Sequence, residues 1–503
     1  MIFSSTTFIF VYLPIVFFTY FLLNKQRWIV AGKYWLVIAS LFFYGYWSVE
    51  YLPLLVASIV FNFCMGASLS PHFERIKKRF FWSGLIRPTI SRKALLIFSI
   101  AVNLALLGYF KYANFFLDNL NLAIGSGFHI EEILLPLGIS FYTFTQIAFL
   151  VDSYKGEATE YNFVNYALFV TFFPHLIAGP ILHHKEMMSQ FQTRWTFAIR
   201  YRYILMGLFI FSIGLFKKVI IADTFAVWAD VGFAEGAAHD FFSSWVTSLS
   251  YTFQLYFDFS GYCDMAIGAA LLFNIWLPIN FNSPYKALSI QDFWRRWHMT
   301  LSRYLRDYLY IPLGGNRCSS TRVYFNLMAT FVLGGLWHGA SWMFVIWGGL
   351  HGGALICHRV WNQLGLKMPN VLAWLVTFLF INITWVFFRA TSIDSAMTIL
   401  LGMVDISSIS SQTMNSDVIV KLSFFGVWGD ALLSMLPVGV VMHLFSLMMI
   451  AVGFFVISQK NSFEMTTQGS LTWSKVWWMS FLFAVAIYAT IQSTSTVFLY
   501  FNF

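Results

Sequence analysis

The sequence predicts an all-α integral membrane protein, and three observations carry that expectation. Of its 503 residues, 59% are hydrophobic, 20% aromatic and only 11% charged, a balance foreign to soluble globular domains. Charge-free runs recur at bilayer length: Met1–Asn24, Tyr51–Ser70, Ala94–Phe110, Ile133–Val151, Asn162–Leu182, Phe241–Phe257, Met368–Phe388, Ala431–Gln459 and Val476–Phe503. The cations are confined to short stretches between these runs, as the positive-inside rule requires. About 20 apolar residues span the hydrocarbon core as a helix, and a helix closes its own backbone hydrogen bonds there. The length rule therefore predicts roughly 11–13 membrane segments, some re-entrant. They form one polytopic domain over residues 1–503, with a lipid bilayer as its first partner.

The net charge of +9 raises nucleic acid as a partner, but cations placed between membrane runs argue against it. The four cysteines (Cys64, Cys263, Cys318, Cys357) are scattered, and neither a disulfide framework nor a metal-ligand spacing emerges. The first run lacks a basic leader and a small-residue cleavage site, so it reads as a retained helix. Lys25, Arg27 and Lys33 follow this run, and Arg75, Lys77, Lys78, Arg79, Arg87, Arg92 and Lys93 follow two spans later. Both groups are expected on the cytoplasmic side, which places the N-terminus, and by the same reading the C-terminus, outside.

Along the chain, Pro136 and Gly138 predict a break within Ile133–Val151. His175, His183 and His184 surround Gly179-Pro180, but no carboxylate or cysteine completes a metal-ligand spacing, so they read as residues of a helix end at the membrane surface. Asp258 and Asp264 flank Ser260-Gly261. Paired carboxylates can perform acid–base work, yet here a supporting role is expected, orienting arginines nearby in sequence or capping the ends of a broken helix.

Residues 281–358 form the stretch around which function is expected. Trp294, Trp297, Leu301, Tyr304, Leu305 and Tyr308 recur at helical spacing, predicting one amphipathic helix that ends at Gly314-Gly315-Asn316. It carries Arg295, Arg296, Arg303 and Arg306, the densest cationic cluster in an apolar chain. Val323–His358 then runs 36 residues without a formal charge. As one helix it would measure about 54 Å against a hydrocarbon core of about 30 Å, so a break is expected at GGLWHGAS, beside His338. Non-helical backbone at that depth needs a cavity lined by protein or water, and an ionisable group there is a functional candidate. His351 and His358 are weaker candidates.

The runs SPYKALSIQDFWRRWHMTLSRYLRDYLYIPLGGNR and LGGLWHGASW, preceded by FPHLIAGPIL and LYFDFSGYCDMAIG, follow one another in an order that resembles the membrane-bound O-acyltransferase family. Within it they look closest to the bacterial alginate O-acetyltransferases and their cellulose and peptidoglycan relatives. The opening FSSTTFIFVYLPIVFF, the segment GYFKYANFF and the tail fit too, so the resemblance covers nearly the whole chain. It implies helices surrounding a central tunnel, His338 of the WHG motif as catalytic residue with Trp337 in support, and His298 of WRRWH as a second active-site histidine. It also implies that Tyr500 of the terminal Phe-x-Tyr-x-x-Phe motif, in the last span over 476–503, relays the acyl group.

The activity expected from this resemblance is O-acetylation of an extracytoplasmic polysaccharide, with acetyl-CoA as the donor and no tightly bound cofactor. Arg295, Arg296, Arg303 and Arg306 would hold the CoA phosphates, unless Asp292 and Asp307 pair with them. His338 would act as general base, His298 would orient the acyl group or polarise its carbonyl, and Tyr500 would pass acetyl to a periplasmic transferase. Two alternatives remain open at this level. One is transfer of a D-alanyl or other acyl group from a carrier-protein thioester. The other is a transporter or assembly subunit without acyl turnover.

Overall fold

The structure is a computed structural model that describes residues 1–71, 91–131, 133–158, 161–237, 239–410, 438–467, 472–492 and 499. The described residues form helices and no strand. Among the described residues, six helices are long and apolar enough to cross a membrane: Phe8–Lys25, Leu52–Leu69, Arg92–Ile124, Tyr201–Gly232, Asn370–Arg389 and Trp473–Gln492. Ile29–Gly45, Ile393–Gly402 and Leu444–Ser458 are shorter apolar helices. The exposed faces of the long helices carry Phe18, Leu22, Tyr109, Val371 and Trp477, which suits contact with lipid. Cations 75–90 and the terminal Phe498, Tyr500 and Phe503 lie outside the described residues.

The core is organised on the Phe241–Leu272 helix, buried at every position from Ser250 to Leu272. A helix hydrophobic on all sides belongs inside. Its start is set by a reciprocal cap, with Asp240 Oδ1 accepting from Ser243 N at 2.7 Å and Ser243 Oγ accepting from Asp240 N at 2.9 Å. The Tyr201–Phe216 helix packs against it through two glycine pairs, each pair repeating after seven residues. A Cβ on Gly214 would lie 2.6 Å from the Gly261 carbonyl oxygen, and one on Gly207 would lie 2.7 Å from that of Gly268. Small residues at this spacing let two backbones approach closely.

Beyond Phe216 the backbone widens into a π-turn, Lys217–Ala222. It delivers two lysines to the central helix: Lys217 Nζ to Asp264 Oδ2 at 2.7 Å and Lys218 Nζ to Asp258 Oδ1 at 2.8 Å. The supporting role expected for the two aspartates therefore has different partners. They bind lysines that precede them, because the helix pairing places the π-turn, and not the arginines, at their level. Asp264 also accepts from Ser462 Oγ at 2.8 Å, and Asp258 accepts from the Leu499 backbone N–H at 3.1 Å. The last described helix ends at Gln492.

The predicted break near Pro136 and Gly138 is present, for the helix begins at Ile139. The break in 323–358 is present as well: helices Ser320–His338 and Trp342–Gln363 are joined by Gly339, Ala340 and Ser341. The single amphipathic helix over 294–308 is not. Residues there fold as Ile290–Arg296, Met299–Leu305 and the π-turn Arg306–Tyr310, because His298 adopts left-handed backbone angles (φ 43°, ψ 52°).

Candidate active site

His338 ends the Ser320–His338 helix, where the chain must turn within three residues. Gly339 permits the turn, since a Cβ there would fall 2.0 Å from the Phe344 ring. The last carbonyls of a helix have no partner within it, and here the Arg92–Ile124 helix supplies them. Lys111 Nζ donates to the carbonyl oxygens of Trp337 and His338, the latter at 3.1 Å, and the Tyr112 hydroxyl donates to that of Leu336 at 2.7 Å. A cation at this end also opposes the helix dipole. Lys111 and Tyr112 lie in GYFKYANFF, a segment that gave no separate functional signal in the sequence.

His298 reaches the same place from the other side. Segment 280–282 pairs with 296–299, with Asn282 N donating to the Arg296 carbonyl and Met299 N to that of Asn280, both at 2.9 Å. This pairing holds the left-handed turn, a conformation that is costly for a non-glycine residue and frequent at functional sites. His298 is fully buried. The two imidazoles stand 6.4 Å apart, centroid to centroid, among Trp337, Trp347, Phe388 and Phe259, whose rings lie 4.9–6.2 Å from one or the other. The structure thus brings His298, His338 and Trp337 together.

Three other histidines make protein contacts, while His175 is buried with Nε2 free of a hydrogen-bond partner among the described residues. His351 accepts from Trp294 Nε1 at 3.1 Å and donates Nε2–H to Thr384 Oγ1 at 3.1 Å, using both ring nitrogens. His184 Nδ1 lies 3.0 Å from Asp152 Oδ2, and His183 Nδ1 lies 3.0 Å from the Tyr308 hydroxyl. His358 is exposed. Among the described residues no three His, Cys, Asp or Glu side chains gather as a metal site.

Beside this pair opens a cleft of about 590 Å³ lined by Arg295, Arg303, Arg306, Ser302, Met299 and Thr300, among others. Arg303 makes a bidentate pair with Glu186 (2.6 and 2.8 Å) and Arg306 another with Asp307 (2.7 and 3.1 Å). Arg296 binds Asp292 at 2.9 Å and does not line the cleft. Arg295 is exposed on its wall. Asp258 and Asp264 stand apart as lysine partners in the central helix.

Two buried histidines at a helix break, next to a cationic cleft, are equipped to move a proton during acyl transfer. The pattern of the membrane-bound O-acyltransferase family matches residues 93–397. A peptidoglycan O-acetyltransferase of Helicobacter pylori is 45% identical across 100% of this chain and 98% of its own length. The chain belongs to the membrane-bound O-acyltransferase family. It is an O-acyltransferase built as a multi-pass membrane protein. A probable alginate O-acetylase of Pseudomonas aeruginosa is 43% identical over 79% of this chain and 73% of that protein. A teichoic acid D-alanyltransferase of Bacillus subtilis is 28% identical over 50% of this chain and 68% of that relative. Membership agrees with the family expected from the motifs around His298 and His338.

Proposed function

We propose that this O-acyltransferase takes acetyl from cytoplasmic acetyl-CoA and O-acetylates an extracytoplasmic polysaccharide, peptidoglycan before alginate, from the inner membrane. The observation that carries the reading is the buried His298–His338 pair at the break between two apolar helices, with the arginine-lined cleft beside it. Peptidoglycan is put first because the relative named for it is similar over the entire chain. Arg295 would meet the donor phosphates first, while Arg303 and Arg306 would exchange their carboxylates for phosphate oxygens. One imidazole of the pair takes the proton of the attacking hydroxyl. Trp337 packs against both rings, and Asp258 and Asp264 hold the central helix in place. Tyr500, one residue beyond the Leu499–Asp258 contact, would be the first acceptor, with a periplasmic transferase completing delivery.

The test is incubation of the full-length protein with isotope-labelled acetyl-CoA and purified peptidoglycan glycan strands. Thiol release is recorded together with label on the strands and on the C-terminal peptide. His338→Ala is expected to lose about 10²–10⁴-fold of the rate at normal membrane level, the usual contribution of a general acid–base group. A fully active His338→Ala would sink the reading. Label on Tyr500 that vanishes in the mutant supports the relay, and label on glycan alone removes it. Likeness to the D-alanyltransferase favours one second reading, a carrier-protein thioester donor. Competition by a charged carrier protein, with no thiol release from acetyl-CoA, is its signature.

A further inference from the structure

We propose that the Trp337 indole is a catalytic donor: its Nε1–H binds the acyl carbonyl oxygen as that oxygen becomes negative during attack on the thioester. The inference rests on the reading of the histidine pair as the acyl-transfer centre, with His338 as the base, and adds the group that holds the developing charge.

An indole nitrogen carries a hydrogen and cannot accept, so a buried one usually finds an acceptor. Neighbouring tryptophans follow that rule. Trp294 Nε1 donates to His351 Nδ1 at 3.1 Å, Trp385 Nε1 to the Tyr285 hydroxyl at 3.2 Å, and Trp374 Nε1 to the Tyr285 carbonyl oxygen at 2.9 Å. Among the described residues, Trp228, Trp337 and Trp347 have a buried Nε1 without a hydrogen-bond partner. Two of these three, Trp337 and Trp347, pack edge to face against the same imidazole, that of His338. Buried donors without acceptors are few in folded proteins, and each calls for an explanation. Here an acceptor that arrives with the substrate supplies it.

Of the two, Trp337 is the one that borders both histidines. Its ring centroid stands 5.0 Å from His338 and 6.2 Å from His298. Trp347 meets His338 at 5.3 Å and is otherwise enclosed by Trp294, His351, Trp385 and Phe388, at 4.7–5.9 Å. The Trp337 ring is also held in one orientation. Phe144 stacks on it at 5.2 Å, and Phe141 meets it edge to face at 5.3 Å. Lys111 Nζ lies 5.9 Å over the ring while donating to the Trp337 carbonyl oxygen. His298 is fixed in turn through Nδ1, which lies 3.1 Å from Asn280 Oδ1. A donor that need not reorganise is what stabilises new charge most, and the surrounding rings exclude the water that would compete with it.

In the step itself, His338 takes the proton of the hydroxyl as the hydroxyl oxygen bonds to the thioester carbonyl carbon. The carbonyl π pair moves onto the acyl oxygen, and the Trp337 N–H donates to that oxyanion. When the tetrahedral adduct collapses, the pair returns, the C–S bond breaks, and the imidazolium proton passes to the departing thiolate. An acetyl ester, a free thiol and neutral His338 remain, and the indole keeps its hydrogen throughout.

The assay is thiol release from acetyl-CoA by the full-length protein with glycan strands. Replacing Trp337 by 3-benzothienylalanine keeps the shape of the ring and exchanges the N–H for sulfur. That exchange is expected to lower kcat by about 10²–10³-fold with donor KM little changed, because the bond is strong only in the transition state. The unfolding midpoint should stay level or rise, since a buried donor without an acceptor is gone. Trp337→Phe gives the same kinetic comparison if the analogue lowers membrane level. Wild-type kcat overturns the assignment, and so does a rise in donor KM that accounts for the whole loss. An equal fall in kcat from the same exchange at Trp347 overturns the choice of Trp337. Each of these results leaves the histidine pair intact, whereas full activity in His338→Ala would overturn the pair as the centre.

Discussion

His338 owes its position to a residue more than two hundred places away. Lys111 and Tyr112 hold three successive carbonyl oxygens at the end of its helix, and the lysine also stands over the Trp337 ring at 5.9 Å. Removing the ammonium leaves two buried carbonyls without their donor, a loss of about 1–3 kcal/mol for each unsatisfied group. Lys111→Met is therefore expected to lower kcat by at least about tenfold while donor KM changes little. Lys111→Arg, which can still donate to both oxygens, should recover part of the rate. Steady-state kinetics of the three proteins at equal membrane level decide it, and equal kcat values would show that the lysine does not set the geometry. The motifs WRRWH and WHG singled out His298 and His338 in the sequence, and the structure brings their rings to 6.4 Å from each other. The contact of Lys111 with the end of the His338 helix was not legible there, because it depends on an approach across 227 residues.

At the scale of elements, apolar length predicted the hairpin break correctly, since a run of 36 uncharged residues is too long for one span and the glycines flanking His338 lie near its middle. Helical spacing failed over 294–308 for a physical reason. The apolar residues there do recur at helical intervals, but Trp297 and His298 break the helix so that the tryptophan enters the core and the histidine faces His338. Periodicity reports which residues are buried, and a kinked pair of short helices buries the same set. The glycine pairs of Tyr201–Phe216 and Phe241–Leu272 make a sharper prediction. Gly214→Val and Gly268→Val insert atoms 2.6 Å from a facing carbonyl oxygen, and overpacking of this kind costs about 1–3 kcal/mol. Gly349→Ala, with nothing within 4 Å, is expected to be neutral or slightly stabilising. Thermal unfolding in detergent should separate the two groups, and equal midpoints would mean the helix contact is not tight.

Across the whole molecule, buried charge follows the central helix. Lys217 and Asp264 are each nearly enclosed, and Ser462 of the C-terminal region closes the same cluster. Breaking such a pair by removing one partner costs about 3–5 kcal/mol, whereas removing both charges together costs less. Lys217→Met alone should unfold well below the wild type, and Lys217→Met with Asp264→Asn should regain much of the difference. Comparable losses in the single and double variants would show that the pair carries no coupling. Sequence reading found the aspartates but paired them with neighbouring arginines, because proximity along the chain is all a sequence offers. The π-turn that brings the lysines instead is a consequence of how two helices meet.

That meeting also constrains how the chain can be recombined with its relatives. Each glycine of one helix is shaped against a backbone atom of the other, so the surfaces behave as lock and key and neither can be exchanged alone. A chimera that imports residues 201–222 from a distant relative should express poorly, whereas one that imports 201–222 together with 241–272 should assemble. Evolutionary shuffling and protein engineering would then treat these two helices, with the lysine turn between them, as a single heritable cassette.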